Sequence, residues 1–217
     1  YEAQRPEMRL DKRHPDVDAV LTTRELGRML KQAGIEFGQL EEDQYDDPFG
    51  ISTGAAVIFG ATGGVMEAAL RMVYEVITGK ALRNINFSDV RGLEGIKEAE
   101  VDLAGTKVKV MVAHSLSKAK QVMEMIKSGK ASDYAFIEIM CCPGGCIGGG
   151  GQPYGVTNAL RQKRIDATYQ ADGEMAIRKS HENPAIKKLY KEFLIQPLGE
   201  NSHHLLHTHY TNRKNSH

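Results

Sequence analysis

Residues 136–155, FIEIMCCPGGCIGGGGQPYG, constrain this chain more than any other stretch. An apolar run, YAFIEIM at 134–140, breaks into all three cysteines of the chain and then into four consecutive glycines. A short apolar run bounded by turn residues reads as a buried strand. α/β folds keep their sites at the C-terminal ends of such strands. Cys142 and Cys146 stand four apart, and on a helical turn that spacing puts both thiols on one face. Soft thiolates suit iron–sulfur clusters or zinc. A cubane takes about four cysteine ligands, so two make a half-site. Cys141 adjoins Cys142, and neighbouring side chains diverge. Gly144, Gly145 and Gly148 to Gly151 let bare backbone approach a bulky group, and their N–H groups can donate to its sulfurs. The plain alternative is a cysteine packed as a small core hydrophobe. Two thiols at this spacing among so many glycines weigh against it, and a redox pair favours Cys-x-x-Cys.

The flanking sequence predicts α/β architecture, because strand and helix patterns alternate. Residues 17–34 open as a β-branched run that reads as a strand. Thr22 and Glu25 then have capping-box spacing for a helix, with Gly34 as its C′ residue. The acidic stretch 41–50, with Pro48 and Gly50, reads as a loop. Residues 63–79 read as an amphipathic helix with Val65, Ala68, Ala69, Met72, Val73 and Val76 on its apolar stripe, closed by Gly79. Residues 85–92 read as a strand and 98–114 as a hairpin turning at Ala104 and Gly105. Residues 117–129 return to helical spacing. Asn183 and Pro184 form an N-cap and N1 pair for a helix over 185–194. The predicted organisation is a remnant of a first lobe at 1–40, a main α/β lobe at 41–160 carrying the cysteine–glycine loop, and C-terminal helices and tail at 161–217.

Lys plus Arg and Asp plus Glu both number 28, so no global field favours nucleic acid or an anionic membrane. No apolar run approaches the roughly 20 residues of a membrane span. The polar N-terminus does not read as a signal peptide. Clustered cysteines read as metal or reactive thiols in a reducing, cytoplasmic setting. The chain opens on Tyr1, and we expect it to be part of something longer. His203, His204, His207 and His209 could bind metal but read better as solvated terminal residues. His181 reads as a structural hydrogen-bond partner. FGATGGVM lacks the Lys-Ser/Thr of a phosphate loop.

EIMCCPGGCIGGGGQP resembles the third signature of the iron-only hydrogenases, Glu-x-Met-x-Cys-x-x-Gly-Cys-x-x-Gly-Gly-Gly-Gln-Pro, and meets every fixed position from Glu138 to Pro153. DAVLTTREL, FGATGGVMEAALR, VRGLEGIKEAEV and RKSHENPAIKKLY are similar to the same family's catalytic domain. The resemblance implies an α/β fold like the C-terminal domain of the hydrogenase large chain: a mixed or parallel sheet flanked by helices, with an incomplete second lobe. It implies an H-cluster: a 4Fe–4S cubane bridged by one cysteine to a diiron unit with carbonyl, cyanide and azadithiolate ligands. It implies that Cys142 is a cubane ligand and that Cys146 bridges cubane and diiron unit. It also implies that Met140 packs beside the diiron unit, with Phe59 and Gly60 close by. The implied partners are ferredoxin or NAD(P)-linked electron-transfer subunits.

Two earlier signatures of the family, Thr-Ser-Cys-Cys-Pro and Met-Pro-Cys-x-x-Lys-x-x-Glu, each supply one further cubane cysteine. Glu2 resembles the last residue of the second. A missing N-terminal half of the same protein is therefore an implied partner, and the 217 residues alone are expected to be inactive. A different class of reading is a hydrogenase-like iron–sulfur assembly or scaffold protein without the diiron unit. The third is a folded module with empty thiols. Two placements are expected: Cys142 and Cys146 close together in a loop or first helical turn right after a strand over about 134–140, and Phe59, Gly60 and the start of the 63–79 helix near Met140–Cys146.

Overall fold

The computed structural model describes residues 1–208 save 10, 12, 47, 48, 83 and 104. Pro48, Ala104, His209 and the end of the expected C-terminal tail lie outside the described residues. Three strands form the sheet, β1 (Ile96–Leu103), β2 (Thr106–His114) and β3 (Tyr134–Met140), in that order. β1 and β2 pair antiparallel as the expected hairpin, and β2 and β3 pair parallel. The sheet is therefore mixed.

β2 is central and sorts its side chains by the period-2 pleat. Val110 and Val112 join the cluster of Met66, Leu70, Val90, Val101 and Leu103 on one face. Met111 and Ala113 join Val122 on the other, with Met125 and Ile137 packed against them. The first face is covered by α3 (Gly64–Thr78) and the second by α4 (Leu116–Lys127). These α-helices follow α1 (Thr23–Gln32) and the single turn α2 (Gly54–Val57). After the sheet come α5 (Asn158–Glu174), α6 (Pro184–Leu189), which continues as a π turn to Leu194, and α7 (Glu200–Leu206).

Several caps are as the sequence predicts. Thr22 and Glu25 form both bonds of the capping box on α1. Asn183 caps α6 by accepting from the Ala185 N–H at 2.9 Å, and its amide donates to the Ile51 carbonyl. Gly79 ends α3 at φ 63°, the left-handed position a glycine takes without steric cost.

Three expectations are corrected. Residues 17–22 form no strand, because among the described residues no neighbouring strand is there to pair with them. Residues 85–92 carry a 3-10 turn at Ser88–Val90 instead of a strand. The Asn84 side chain accepts from the Asn86 N–H there and bends the chain, while Val90 drops into the core. The stripe of α3 is met only in part: Ala68 is buried and Val73 packs against the core as predicted, but Met72 is exposed. Val76 is 73% exposed, and the buried residues include Met66, Glu67, Leu70 and Arg71.

That buried face is possible because its charges are paired. Arg71 is fully buried; its guanidinium donates to both Asp172 oxygens and to Glu67 Oε1, each at 2.8 Å. It also donates to the carbonyls of Ile85 and Arg178. Arg91 donates to both oxygens of Glu67, and Arg178 to Asp172. Desolvation would hold the Asp172 carboxyl up, but its bonds to Arg71 and Arg178 bring it below the ordinary range. The network pins α3 to α5. Gly54 belongs to the same contact, since a Cβ there would collide with Asp172 Oδ1.

Candidate iron–sulfur cluster site

β3 delivers Met140 to the edge of the core, and the chain then turns away from the sheet. The Met140 carbonyl accepts from the Ser115 N–H at 2.9 Å, which fixes the strand end beside the start of α4. Cys141 and Cys146 are exposed and Cys142 is half-buried. Cys142 and Cys146 thus sit in one short loop directly after the strand, as expected. They do not share a helical turn. Gly144 and Gly145, at φ 81° and 93°, reverse the chain between them, and Cys146 opens a separate 3-10 turn ending at Gly148. The Gly145 N–H closes the first reversal on the Cys142 carbonyl, and the Gly149 N–H closes the next on that of Cys146, both at 3.0 Å.

The second wall of the site is the segment before α3. The Thr62 N–H donates to the Gly144 carbonyl at 3.0 Å. A Cβ on Gly145 would stand 2.7 Å from the Gly60 carbonyl oxygen and 2.8 Å from Met140 Sδ. Gly60, Met140 and the cysteine loop therefore meet at one point. Phe59, next to Gly60, is 46% exposed.

Other side chains hold the loop by its backbone. His114 is buried; Gly144 N–H donates to its Nδ1 at 3.2 Å, so its Nε2 carries the proton given to the Leu93 carbonyl. Arg164 donates to the Ile147 carbonyl at 2.6 Å. Arg24, on α1, donates through its guanidinium to the Gly150 carbonyl and through its backbone N–H to that of Gly151. Glu138, buried in β3, accepts from the N–H groups of Gly63 and Met66, each at 2.7 Å. Burial pushes its carboxyl above the ordinary range, and the two N–H bonds oppose that shift. Sequence reasoning gave no role to His114, Arg24, Arg164 or Glu138. A charge inside the apolar run YAFIEIM was the one readable signal, because a buried carboxylate requires partners.

The donor set and space fit an iron–sulfur group. Two soft thiols lie in one loop. A Cβ on Gly149 would come 3.8 Å from Cys142 Sγ, so the glycine leaves that sulfur approachable. Thr62 Oγ1 is buried and has no hydrogen-bond partner among the described residues. The fit is to half a cubane, since the one further cysteine of the chain, Cys141, adjoins Cys142 and its side chain diverges from it.

His181, His203 and His207 are placed elsewhere. His181 Nε2 lies 2.6 Å from Glu75 Oε2, the structural partnership expected of it. His203 and His207 pair their rings at 4.3 Å on α7.

Residues 1–150 match the family model described as iron only hydrogenase large subunit, C-terminal domain, and residues 158–213 match that of the iron hydrogenase small subunit. The NADP-reducing hydrogenase subunit HndD of Solidesulfovibrio fructosivorans is 48% identical over 99% of this chain and 36% of that protein. A solved variant of the FeFe hydrogenase HydA1 of Chlamydomonas reinhardtii is 40% identical, with a TM-score of 0.75 over 96% of this chain and 59% of that one. Protein NAR1 of Arabidopsis thaliana is 30% identical over 90% of this chain and 42% of that protein. The chain thus spans about a third of HndD, and its sheet, helices and cysteine loop all fall within the matched regions. It belongs to the family of the iron-only hydrogenase large subunit, C-terminal domain.

Proposed function

We propose that these 217 residues are the C-terminal part of the catalytic domain of an iron-only hydrogenase, which interconverts H2 with protons and electrons. The observation that carries this reading is the convergence of Met140, the cysteine loop and Gly60 on one point. In this reading Cys142 binds the cubane and Cys146 bridges cubane and diiron unit. Met140 and Phe59 shield the diiron side from water, and Gly60 gives its ligands close approach. When bound, the H-cluster would supply the redox metal centre at which H–H bonds form or break, with the electrons exchanged with an external carrier. The chain's own residues bind and orient it: the loop presents two thiolates, and glycines leave room for the sulfides.

The other cubane thiolates come, in this proposal, from an N-terminal half of the same protein. Electrons are exchanged with ferredoxin or NAD(P)-linked subunits, and the setting is cytoplasmic. No helix among the described residues is long and apolar enough to cross a membrane.

A second reading is an iron–sulfur assembly factor without the diiron unit, which the similarity to cytosolic iron-sulfur assembly component 3 of Pongo abelii, 29% identical over 96% of this chain and 44% of that protein, favours. Infrared spectroscopy of the longer protein after cluster maturation separates the two. Carbonyl and cyanide stretching bands support the hydrogenase; a cubane signal without them supports the assembly factor.

A further inference from the structure

Glu138 has a placement that the cluster chemistry alone does not require. The N-cap of α3 is Gly63, which has no side chain to cap the orphan N–H groups of the first turn. The cap comes instead from another element. Glu138, on β3, gives one carboxylate oxygen to the Gly63 N–H and the other to the Met66 N–H. The residue is only 5% exposed. A charged acceptor at a helix N-terminus is favoured by the helix dipole as well as by the bonds themselves.

The two ends of this brace are the two walls of the site. Glu138 and Met140 lie on the same side of β3, two residues apart, and Cys142 follows. On the other end, Gly63 adjoins Thr62, whose N–H holds the Gly144 carbonyl. We propose that Glu138 is a positioning residue: by capping α3 from β3 it sets the Phe59–Gly63 wall against the Met140–Gly149 wall and fixes the width between them. The proposal rests on the hydrogenase reading for what occupies that width, but the brace itself is a property of the chain.

The test is amide hydrogen exchange on the full-length protein carrying Glu138→Gln, compared with the unaltered protein. The amide keeps the size and removes one acceptor oxygen, so one N–H loses its partner. The expected result is exchange about tenfold or more faster at Gly63 and Met66, with parallel acceleration at Thr62 and at the amides of 145–149. The β1–β2 amides remain unchanged. Acceleration confined to Gly63 and Met66, or no change, overturns the positioning role. Should Glu138→Gln unfold the protein, Glu138→Asp decides, since it keeps the charge but draws back both bonds. Acceleration at 145–149 without change in β1–β2 supports the proposal, and any other pattern overturns it. This readout needs no turnover. A protein that never evolves H2 therefore rejects the hydrogenase reading while leaving the brace measurable.

Discussion

The guanidinium of Arg24 donates through Nη1 to the carbonyl oxygen of Gln152 at 2.6 Å, joining the first turn of α1 to the end of the glycine run. The same guanidinium lies 4.3 Å from the ring centre of Tyr154. Thr22 packs against Gly151, where a Cβ would come within 3.1 Å of Thr22 Cβ. α1 buries no residue of its own, so this clasp is what holds it beside the cysteine loop. Arg24→Ala is expected to lower stability by about 1.5–3 kcal/mol, the range for hydrogen bonds to a charged group. Limited proteolysis checks it: cleavage within 23–34 accelerates, while the hairpin stays resistant.

Arg71→Met tests the buried network. Among the described residues the substitution leaves Arg91 as the one guanidinium on Glu67 and Arg178 as the one on Asp172, both carboxylates inside the protein. Breaking a buried pair from one side costs about 3–5 kcal/mol, and urea unfolding should show a loss of that order. A loss under about 1 kcal/mol would place the network among interactions that contribute little, as exposed pairs do.

Glu75 gives a pH signature. Its carboxylate accepts from Lys179 Nζ and from the Leu82 N–H, and it pairs with His181. The Lys179 bond first, and the Leu82 bond next, pull its pKa from 4.5 to about 2. A folded-state pKa below the unfolded one means that the stabilisation is present above about pH 4.5 and is lost as pH falls through about 2. Glu75→Gln should therefore destabilise the protein at pH 7. The difference from the unaltered protein should shrink steadily between pH 4.5 and 2 in thermal unfolding.

Much of this fold was readable because one physical rule governed each element. The hairpin and β3 follow from period-2 alternation and apolar runs, and α1 and α6 follow from side chains that cap their own first turns. The failures mark places where distant residues decided the outcome. α3 buries Glu67 and Arg71 because Asp172, about a hundred residues later, completes their pairing. A periodicity argument scores both as solvent-facing. Residues 17–22 have strand-like composition but no partner strand, and the strand state depends on pairing. At the site, the cysteines and glycines announced themselves by type and spacing. The loop's actual turn, reversed at Gly144 and Gly145, differs from the helical turn that the spacing allowed. Glu138, His114 and Arg24 act through backbone groups far away in sequence, and nothing local marks such contacts.

The central claim concerns Cys142 and Cys146 as cluster ligands within a hydrogenase, and H2 evolution tests it most directly. The longer protein is matured with its diiron unit and supplied with dithionite-reduced viologen, and headspace H2 is measured for the unaltered form and for Cys146→Ser. The account predicts sustained H2 from the former and none above background from the latter, because the serine removes the bridge between the two subclusters. Full activity in Cys146→Ser, or no H2 from the matured unaltered protein, would contradict it.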